Sequence, residues 1–143
     1  MRADTTIRVR YAETDQMGVV YHANYFPWFE EARTDLLLAI GYSYREMEEQ
    51  GYLFPLVECS CRYRQPARYM DVLTVRSGLT EMKGAKFTIG YHVYRISDGA
   101  MLAEGTTTHV FVDKQLRPVN MRRLRPDVYD AMLQSMERED GDA

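Results

Sequence analysis

One long segment with helical periodicity, placed between a short alternating segment and several longer ones, limits the folds open to this chain. Over residues 25–40 apolar side chains recur near helical spacing, and Gly41 follows at a position typical of a helix end. Apolar and polar residues then alternate with a period of two over residues 57–64 and 87–94, and residues 101–112 are expected to form the last strand. This order predicts an α+β fold in which an antiparallel sheet of about five strands wraps around one central helix.

Turn and capping signals indicate the other elements. Two further strands are expected at about 5–12 and 73–79, and the short turns between strands favour antiparallel neighbours. Asn24 is a suitable N-cap for the long helix, and Ser43 is one for a short helix over residues 43–50.

Length and composition predict one domain over residues 1–143. Hydrophobic residues make up 45% of the chain and charged residues 27%, which is ordinary for a soluble domain. The formal net charge of −3 argues against general affinity for nucleic acid.

No apolar segment has the length of a signal peptide or a membrane span, so the cytoplasm is the expected location. The domain is expected to end with a helix at about 124–138 and an acidic tail over 137–143.

The cysteines and histidines do not form a metal-binding pattern. Cys59 and Cys61 lie two residues apart on an expected strand, near the upper distance limit for a disulfide, and reduced thiols are the simpler interpretation. His22, His92 and His109 are scattered along the chain. We therefore expect no metal.

A carboxylate just ahead of the long helix is the strongest chemical signal. Asp15 and Gly18 belong to the short segment that leads into this helix. A helix N-terminus presents unpaired N–H groups and the positive end of the helix dipole, so it can stabilise an anion. A carboxylate that faces such an end can attack a carbonyl, or activate water, while the helix end polarises the carbonyl. The pattern allows acyl transfer, and the alternative for Asp15 is the closure of an Asx turn.

Several short motifs extend from Asp15 into the expected helix. They are Thr14-Asp15, Gly18-Val19-Val20, Tyr21-His22, Asn24-Tyr25-Phe26 and Phe29-Glu30-Glu31-Ala32-Arg33. Together these motifs resemble the signature of the 4-hydroxybenzoyl-CoA thioesterase-like hotdog proteins, densely over residues 7–41 and more loosely to about residue 120. The resemblance implies the hotdog fold, a curved antiparallel sheet around a central helix. It also implies acyl-CoA thioesterase activity with no cofactor, because coenzyme A is part of the substrate.

The resemblance implies roles for individual residues. Asp15 would act as a nucleophile through a mixed anhydride, or as a general base on water, and the backbone N–H of His22 would stabilise the oxyanion. The His22 imidazole is open: it could contact the thioester, move a proton, cap the helix or pack at a subunit contact. Further substrate contacts are expected at Gly18 (alternatively a turn glycine), Val19, Tyr21, Tyr25 and, for the phosphates of coenzyme A, Arg68 and Lys86.

Other interpretations stay open at this stage. Glu13 is a secondary candidate for a paired carboxylate, and aromatic residues such as Tyr63 could line an aryl pocket or fill the core. Carrier-protein thioesters are an alternative substrate, and a non-catalytic acyl-CoA-binding or partner-binding module is an alternative function. The resemblance further implies a homodimer joined edge to edge through its sheets, or a homotetramer of two such dimers. Further candidate cations for coenzyme A are Arg62, Arg64, Lys83, Arg117, Arg122, Arg123 and Arg125.

Overall fold

The expected arrangement of one sheet around one long helix is confirmed in the computed structural model, which describes residues 1–142 and the side chains of residues 1–136. The strands form a five-stranded antiparallel sheet of order β1-β3-β4-β5-β2. Their bounds are β1 Ala3–Arg8, β2 Leu56–Tyr63, β3 Val72–Lys83, β4 Lys86–Arg95 and β5 Met101–Val110. The helices are α1 Tyr25–Ile40, α2 Tyr44–Glu49, α3 Met121–Leu124 and α4 Pro126–Asp142, with 3₁₀ turns at Tyr11–Glu13 and His22–Asn24.

Helix α1 lies against the inner face of the sheet and forms the centre of the core. Phe29, Ala32 and Leu36 are fully buried in it. The ring of Phe29 stacks on Tyr91 of β4 with centroids 4.3 Å apart. It also lies against Gly105 of β5, where a Cβ atom would come within 2.8 Å of the Phe29 ring. A glycine at this position therefore lets the helix approach the sheet closely.

The ends of α1 and α2 test the capping expectations. Gly41 ends α1 in a left-handed conformation with φ of 116°, as expected. Ser43 caps α2, because its hydroxyl accepts a hydrogen bond from the N–H of Glu46 at 3.3 Å. The capping role of Asn24 was wrong: its side chain makes no cap hydrogen bond and instead donates to the carbonyl of Glu13 at 2.7 Å.

Several boundaries differ from the sequence-based expectations. The first strand ends at Arg8 rather than near residue 12, because the chain turns into a 3₁₀ helix at Tyr11–Glu13. Strand β3 continues to Lys83, beyond the expected end at 79, because it pairs with β4 up to the turn between them. Strand β5 ends at Val110.

The C-terminal segment forms a short and a long helix rather than one. α4 begins at Pro126, a residue that suits the first turn of a helix. Its backbone runs to Asp142 instead of ending near residue 138. The acidic tail expected over 137–143 falls on residues whose side chains, and for Ala143 also the backbone, lie outside the described residues.

The two outer strands of the sheet differ in character. Strand β1 alternates exposed residues with buried ones such as Thr5 and Ile7. Strand β2 is exposed along nearly its whole length, and Leu56 and Val57 each retain 51% of their accessible surface.

No helix within residues 1–142 has both the length and the apolar character needed to cross a membrane.

Candidate active site

The loop that carries Asp15 is closed by hydrogen bonds on both sides of the carboxylate. The N–H of Asp15 donates to the carbonyl of Val19 at 2.9 Å, and the N–H of Gly18 donates to the carbonyl of Asp15 at 3.0 Å. Gly18 has a φ of +78°, a left-handed conformation that favours glycine. Oδ1 of Asp15 accepts a hydrogen bond from the N–H of Met17 at 2.9 Å, which is an Asx turn. The other carboxylate oxygen accepts no hydrogen bond from the described residues.

Glu13 attaches this loop to the start of α1 from the inside. Its buried carboxylate accepts hydrogen bonds from the indole N–H of Trp28 and the backbone N–H of Arg10, both at 2.8 Å. Its carbonyl oxygen accepts from the N–H of Tyr21 at 2.9 Å and from the side-chain amide of Asn24 at 2.7 Å. The Glu13 carboxylate thus has structural partners, which does not favour the paired-carboxylate interpretation.

The approach to α1 presents an unpaired backbone amide. His22 begins the 3₁₀ turn His22–Asn24, and its N–H donates to no acceptor among the described residues. Its carbonyl oxygen accepts hydrogen bonds from the N–H of Tyr25 and from the hydroxyl of Tyr63, the latter at 2.9 Å. The imidazole is exposed and lies against the ring of Tyr21, with centroids 4.3 Å apart. An unpaired amide at the start of a helical segment can polarise a substrate carbonyl.

Asp15 and His22 line one cleft with a volume of about 300 Å³. The cleft is bounded by the Asp15 loop, the start of α1, the end of β2 and the segment that follows β2. Its lining residues are Asp15, Met17, Val19, Val20, His22, Tyr25, Tyr63, Arg64, Gln65 and Pro66. The fold therefore brings the two residues expected to be catalytic to the same place.

Tyr25 forms the inner wall of the cleft. It is 2% exposed, and the backbone N–H of Ala67 lies near its hydroxyl. Burial raises the pKa of Tyr25 to about 12, and the Ala67 N–H opposes this rise. Ala67 also accepts a hydrogen bond from the N–H of Val20 at 2.8 Å. The segment after β2 thus supports both the Asp15 loop and the first turn of α1.

Of the other residues expected to bind substrate, only one lines this cleft. Val19 lines it, and Gly18 and Tyr21 flank it in the chain without being lining residues. Arg68 follows the lining segment and is exposed, and its backbone N–H donates to Asp71 at 2.9 Å. Lys86 begins β4 at the hairpin turn and lies outside the cleft. The binding roles of all these residues stay predictions.

Sequence reasoning left open the contribution of the end of β2, because Tyr63 was a candidate for either an aryl pocket or the core. Tyr63 and Arg64 enter the cleft 41 and 42 positions after His22 in the chain. Arg64 was one of several candidate cations, and it forms an ion pair with Glu104 of β5. The Gln65-Pro66 turn marks the end of this strand in the sequence. It does not indicate which other part of the fold the strand end lies against.

A larger depression of about 450 Å³ lies on the outer face of the sheet. Its polar lining includes Ser60, His92, Glu104 and Thr106 from β2, β4 and β5. It includes no residue from the stretch 11–25, so neither Asp15 nor the start of α1 contributes to it.

Metal ligands are not clustered in the part of the chain that the structure describes. No group of three or more His, Cys, Asp or Glu side chains there could hold a metal ion. Cys59 and Cys61 are both free thiols. The absence of a metal or cofactor from the reaction stays a prediction.

Comparisons with known proteins agree with this fold. Residues 9–135 match the family model of the thioesterase-like superfamily. YneP of Bacillus subtilis is 40% identical over 126 residues, which cover 87% of this chain and 91% of YneP. The acyl-CoA thioesterase YbgC of Haemophilus influenzae is 35% identical, covering 79% of this chain and 83% of YbgC.

The solved structure of a DHNA-CoA thioesterase from Staphylococcus aureus superposes with a TM-score of 0.89 at 30% identity, covering 96% of this chain and 94% of that one. This likeness confirms the hotdog fold that the sequence resemblance implies. The match over residues 9–135 includes strands β2 to β5 and helix α1, and it begins just after β1. The chain belongs to the thioesterase-like superfamily.

Proposed function

We propose that this protein is an acyl-CoA thioesterase in which Asp15 supplies the carboxylate and the backbone N–H of His22 stabilises the oxyanion. Superfamily membership and the thioesterase relatives confirm the coarser expectation of a thioester hydrolase. The observation that carries the finer proposal is that Asp15 and His22 line the same cleft. There, one carboxylate oxygen and one backbone N–H have no hydrogen-bond partner among the described residues.

The reaction needs only these two groups and water. In one route the Asp15 carboxylate attacks the thioester carbonyl carbon, the C–S bond breaks, and water then hydrolyses the mixed anhydride. In the other route the carboxylate takes a proton from water as the water oxygen attacks. Both routes pass through a tetrahedral oxyanion and release the acid and the coenzyme A thiol. Both therefore use the same oxyanion donor.

The geometry of the Asp15 loop supports this division of roles. The Met17 N–H binds one carboxylate oxygen and so holds the side chain in one orientation. The second oxygen stays available for chemistry. The Asx turn and the catalytic role are therefore compatible for Asp15 rather than alternatives.

For the nucleotide of coenzyme A we propose contacts by cations at the edge of the cleft. Arg64 lines the cleft, and Arg68 lies in the exposed segment just beyond it. Guanidinium groups bind phosphates through paired hydrogen bonds, which suits a pyrophosphate. Lys86 lies away from the cleft of its own chain and would act only on the cleft of another subunit.

We also propose that the protein forms a homodimer through strand β2, with a tetramer of two dimers as a further possibility. Strand β2 pairs with β5 on one side only, and Leu56, Val57 and Cys59 on it are exposed. An unpaired sheet edge that carries exposed apolar side chains favours pairing with a second copy. Because Tyr63 ends this strand, such a dimer would place the second subunit beside the cleft.

The activity is tested by thiol release from short, medium, long and aryl acyl-CoAs, and from a carrier-protein thioester. Asp15→Asn keeps an oxygen that accepts from Met17 but removes the charge, so we expect kcat to fall about 100-fold or more. The matched control is Asp113→Asn, because Asp113 also accepts a backbone N–H two residues later (Gln115, 2.9 Å) but lies outside the cleft.

Blanks without substrate are needed because Cys59 and Cys61 react with thiol reagents. Full activity in Asp15→Asn would overturn the catalytic assignment. If the wild type hydrolyses only the carrier-protein thioester, the proposed substrate changes from an acyl-CoA to a carrier-protein thioester. A wild type that hydrolyses none of them would favour a binding module.

A further inference from the structure

Tyr63 connects the edge strand of the sheet to the start of the long helix. It is the last residue of β2, and its hydroxyl donates a hydrogen bond to the carbonyl oxygen of His22 at 2.9 Å. Its ring is 44% exposed and lines the cleft beside Asp15. Through this hydrogen bond, a side chain of β2 directly contacts the 3₁₀ turn that presents the His22 amide.

The position of the Tyr63 ring is determined by its neighbours. It packs edge-on against the buried Tyr25, with centroids 5.1 Å apart, and against the His22 ring at 6.4 Å. The Cys61 thiol, two residues earlier on the same strand, lies near the Tyr63 hydroxyl. A tyrosine hydroxyl is protonated and able to donate at neutral pH, and partial burial and the Cys61 side chain raise the pKa of Tyr63 further.

We infer that Tyr63 is a positioning residue for the oxyanion donor: its hydrogen bond to the His22 carbonyl orients the residue whose N–H faces the substrate. This inference rests on the proposed function. The hydroxyl acts through the backbone of His22 and does not itself contact the reacting atoms.

Such a contact matters because an oxyanion donor works only at the correct distance. The donor must lie about 2.7–3.1 Å from the oxygen that develops charge, and a displacement of about 1 Å can cost about 100-fold in rate. The His22 carbonyl retains its second hydrogen bond, from Tyr25, so loss of the Tyr63 hydroxyl should loosen the turn without unfolding it. We therefore expect an effect on kcat of about tenfold, with KM changed by less than about twofold.

The test compares Tyr63→Phe with Tyr69→Phe. Both remove one hydroxyl and keep the ring. Tyr69 is 53% exposed and packs edge-on against Tyr11, and it lies outside the cleft. The measurements are kcat and KM on the best acyl-CoA of the panel, and the backbone amide signals of His22 and Ala23 in a ¹⁵N–¹H correlation spectrum.

The inference predicts a lower kcat in Tyr63→Phe alone, together with shifted or broadened His22 and Ala23 amide signals. Unchanged amide signals, or an unchanged kcat, would overturn it. A raised KM with unchanged kcat would also overturn it, because the hydroxyl would then bind substrate directly. If the wild type hydrolyses no thioester, the proposed function fails, while the amide signals still decide whether Tyr63 orients His22.

Discussion

The carboxylate of Glu13 accepts a hydrogen bond of 2.8 Å from the indole N–H of Trp28 in the buried interior. This contact joins the turn before Asp15 to the first turn of α1, so the two halves of the cleft are attached through one acidic side chain. The second oxygen of Glu13 accepts from the backbone N–H of Arg10, so both oxygens have partners. A residue that sequence reasoning considered as a catalytic partner therefore holds the site together.

Glu13→Gln should destabilise the protein by about 1–3 kcal/mol, because the new NH₂ group cannot accept and leaves one buried donor unpaired. Urea unfolding measures this loss. The control is the exposed Glu81→Gln, for which we expect a change within about 0.5 kcal/mol. Equal stability of the two variants would mean that the Trp28 contact contributes little.

Gly105→Ala should destabilise the protein by about 3 kcal/mol, because its Cβ would collide with the backbone carbonyl of Ser60 and the Phe29 ring. Gly90→Ala is the matched control in the neighbouring strand, since its Cβ would meet only a methyl group of Thr80, at 3.0 Å. Thermal unfolding of both variants checks the order. A Gly90→Ala variant that loses more stability than Gly105→Ala would contradict the close helix–sheet approach.

Stability should fall in mild acid because of His109. Burial lowers the pKa of this residue to about 4, with a smaller effect of the Arg33 charge, and its ring lies between the Phe54 carbonyl and the Thr107 hydroxyl. The unfolded chain binds a proton there below about pH 6.5, but the folded chain only below about pH 4. The free energy of unfolding should therefore decrease as the pH falls from 6.5 to 4, by about 3 kcal/mol from this group.

Unfolding measured across that pH range in wild type and in His109→Gln tests the assignment. The variant should be less stable at neutral pH, with a weaker dependence on pH. Identical slopes in the two proteins would show that other groups cause the acid sensitivity.

Val57→Lys should weaken the proposed dimer, because a charge on an exposed sheet edge opposes pairing with a second strand. Sedimentation velocity over a range of concentrations measures the shift toward monomer. Ile96→Lys is the control, since Ile96 is 54% exposed in the turn between β4 and β5, away from β2. A shift of similar size in both variants would argue against β2 as the interface.

Local patterns were sufficient to predict the class of fold, and a local motif indicated the part of the candidate site that contains Asp15 and His22. Helical spacing indicated α1 and its stop at Gly41, and alternation indicated the strands, because both signals lie within a few consecutive residues. The family resemblance that proposes Asp15 and His22 is also carried by one continuous stretch of sequence, and their roles stay predictions.

Strand ends and side-chain partners were less predictable. Strand β3 extends to Lys83 because β4 pairs with it, which alternation alone does not report. Asn24 has the side chain of an N-cap, yet the Glu13 carbonyl lies within its reach and takes its hydrogen bond.

The sequence by itself determined the superfamily, the wrapped sheet and the carboxylate ahead of the helix. Only the tertiary structure decided that Tyr63 and Arg64 reach the cleft, while Glu13 turns inward to Trp28. The physical reason is that periodicity and turn chemistry act over neighbouring residues. The pairing of β2 with β5 and its contact with the start of α1 instead join positions 40 or more residues apart.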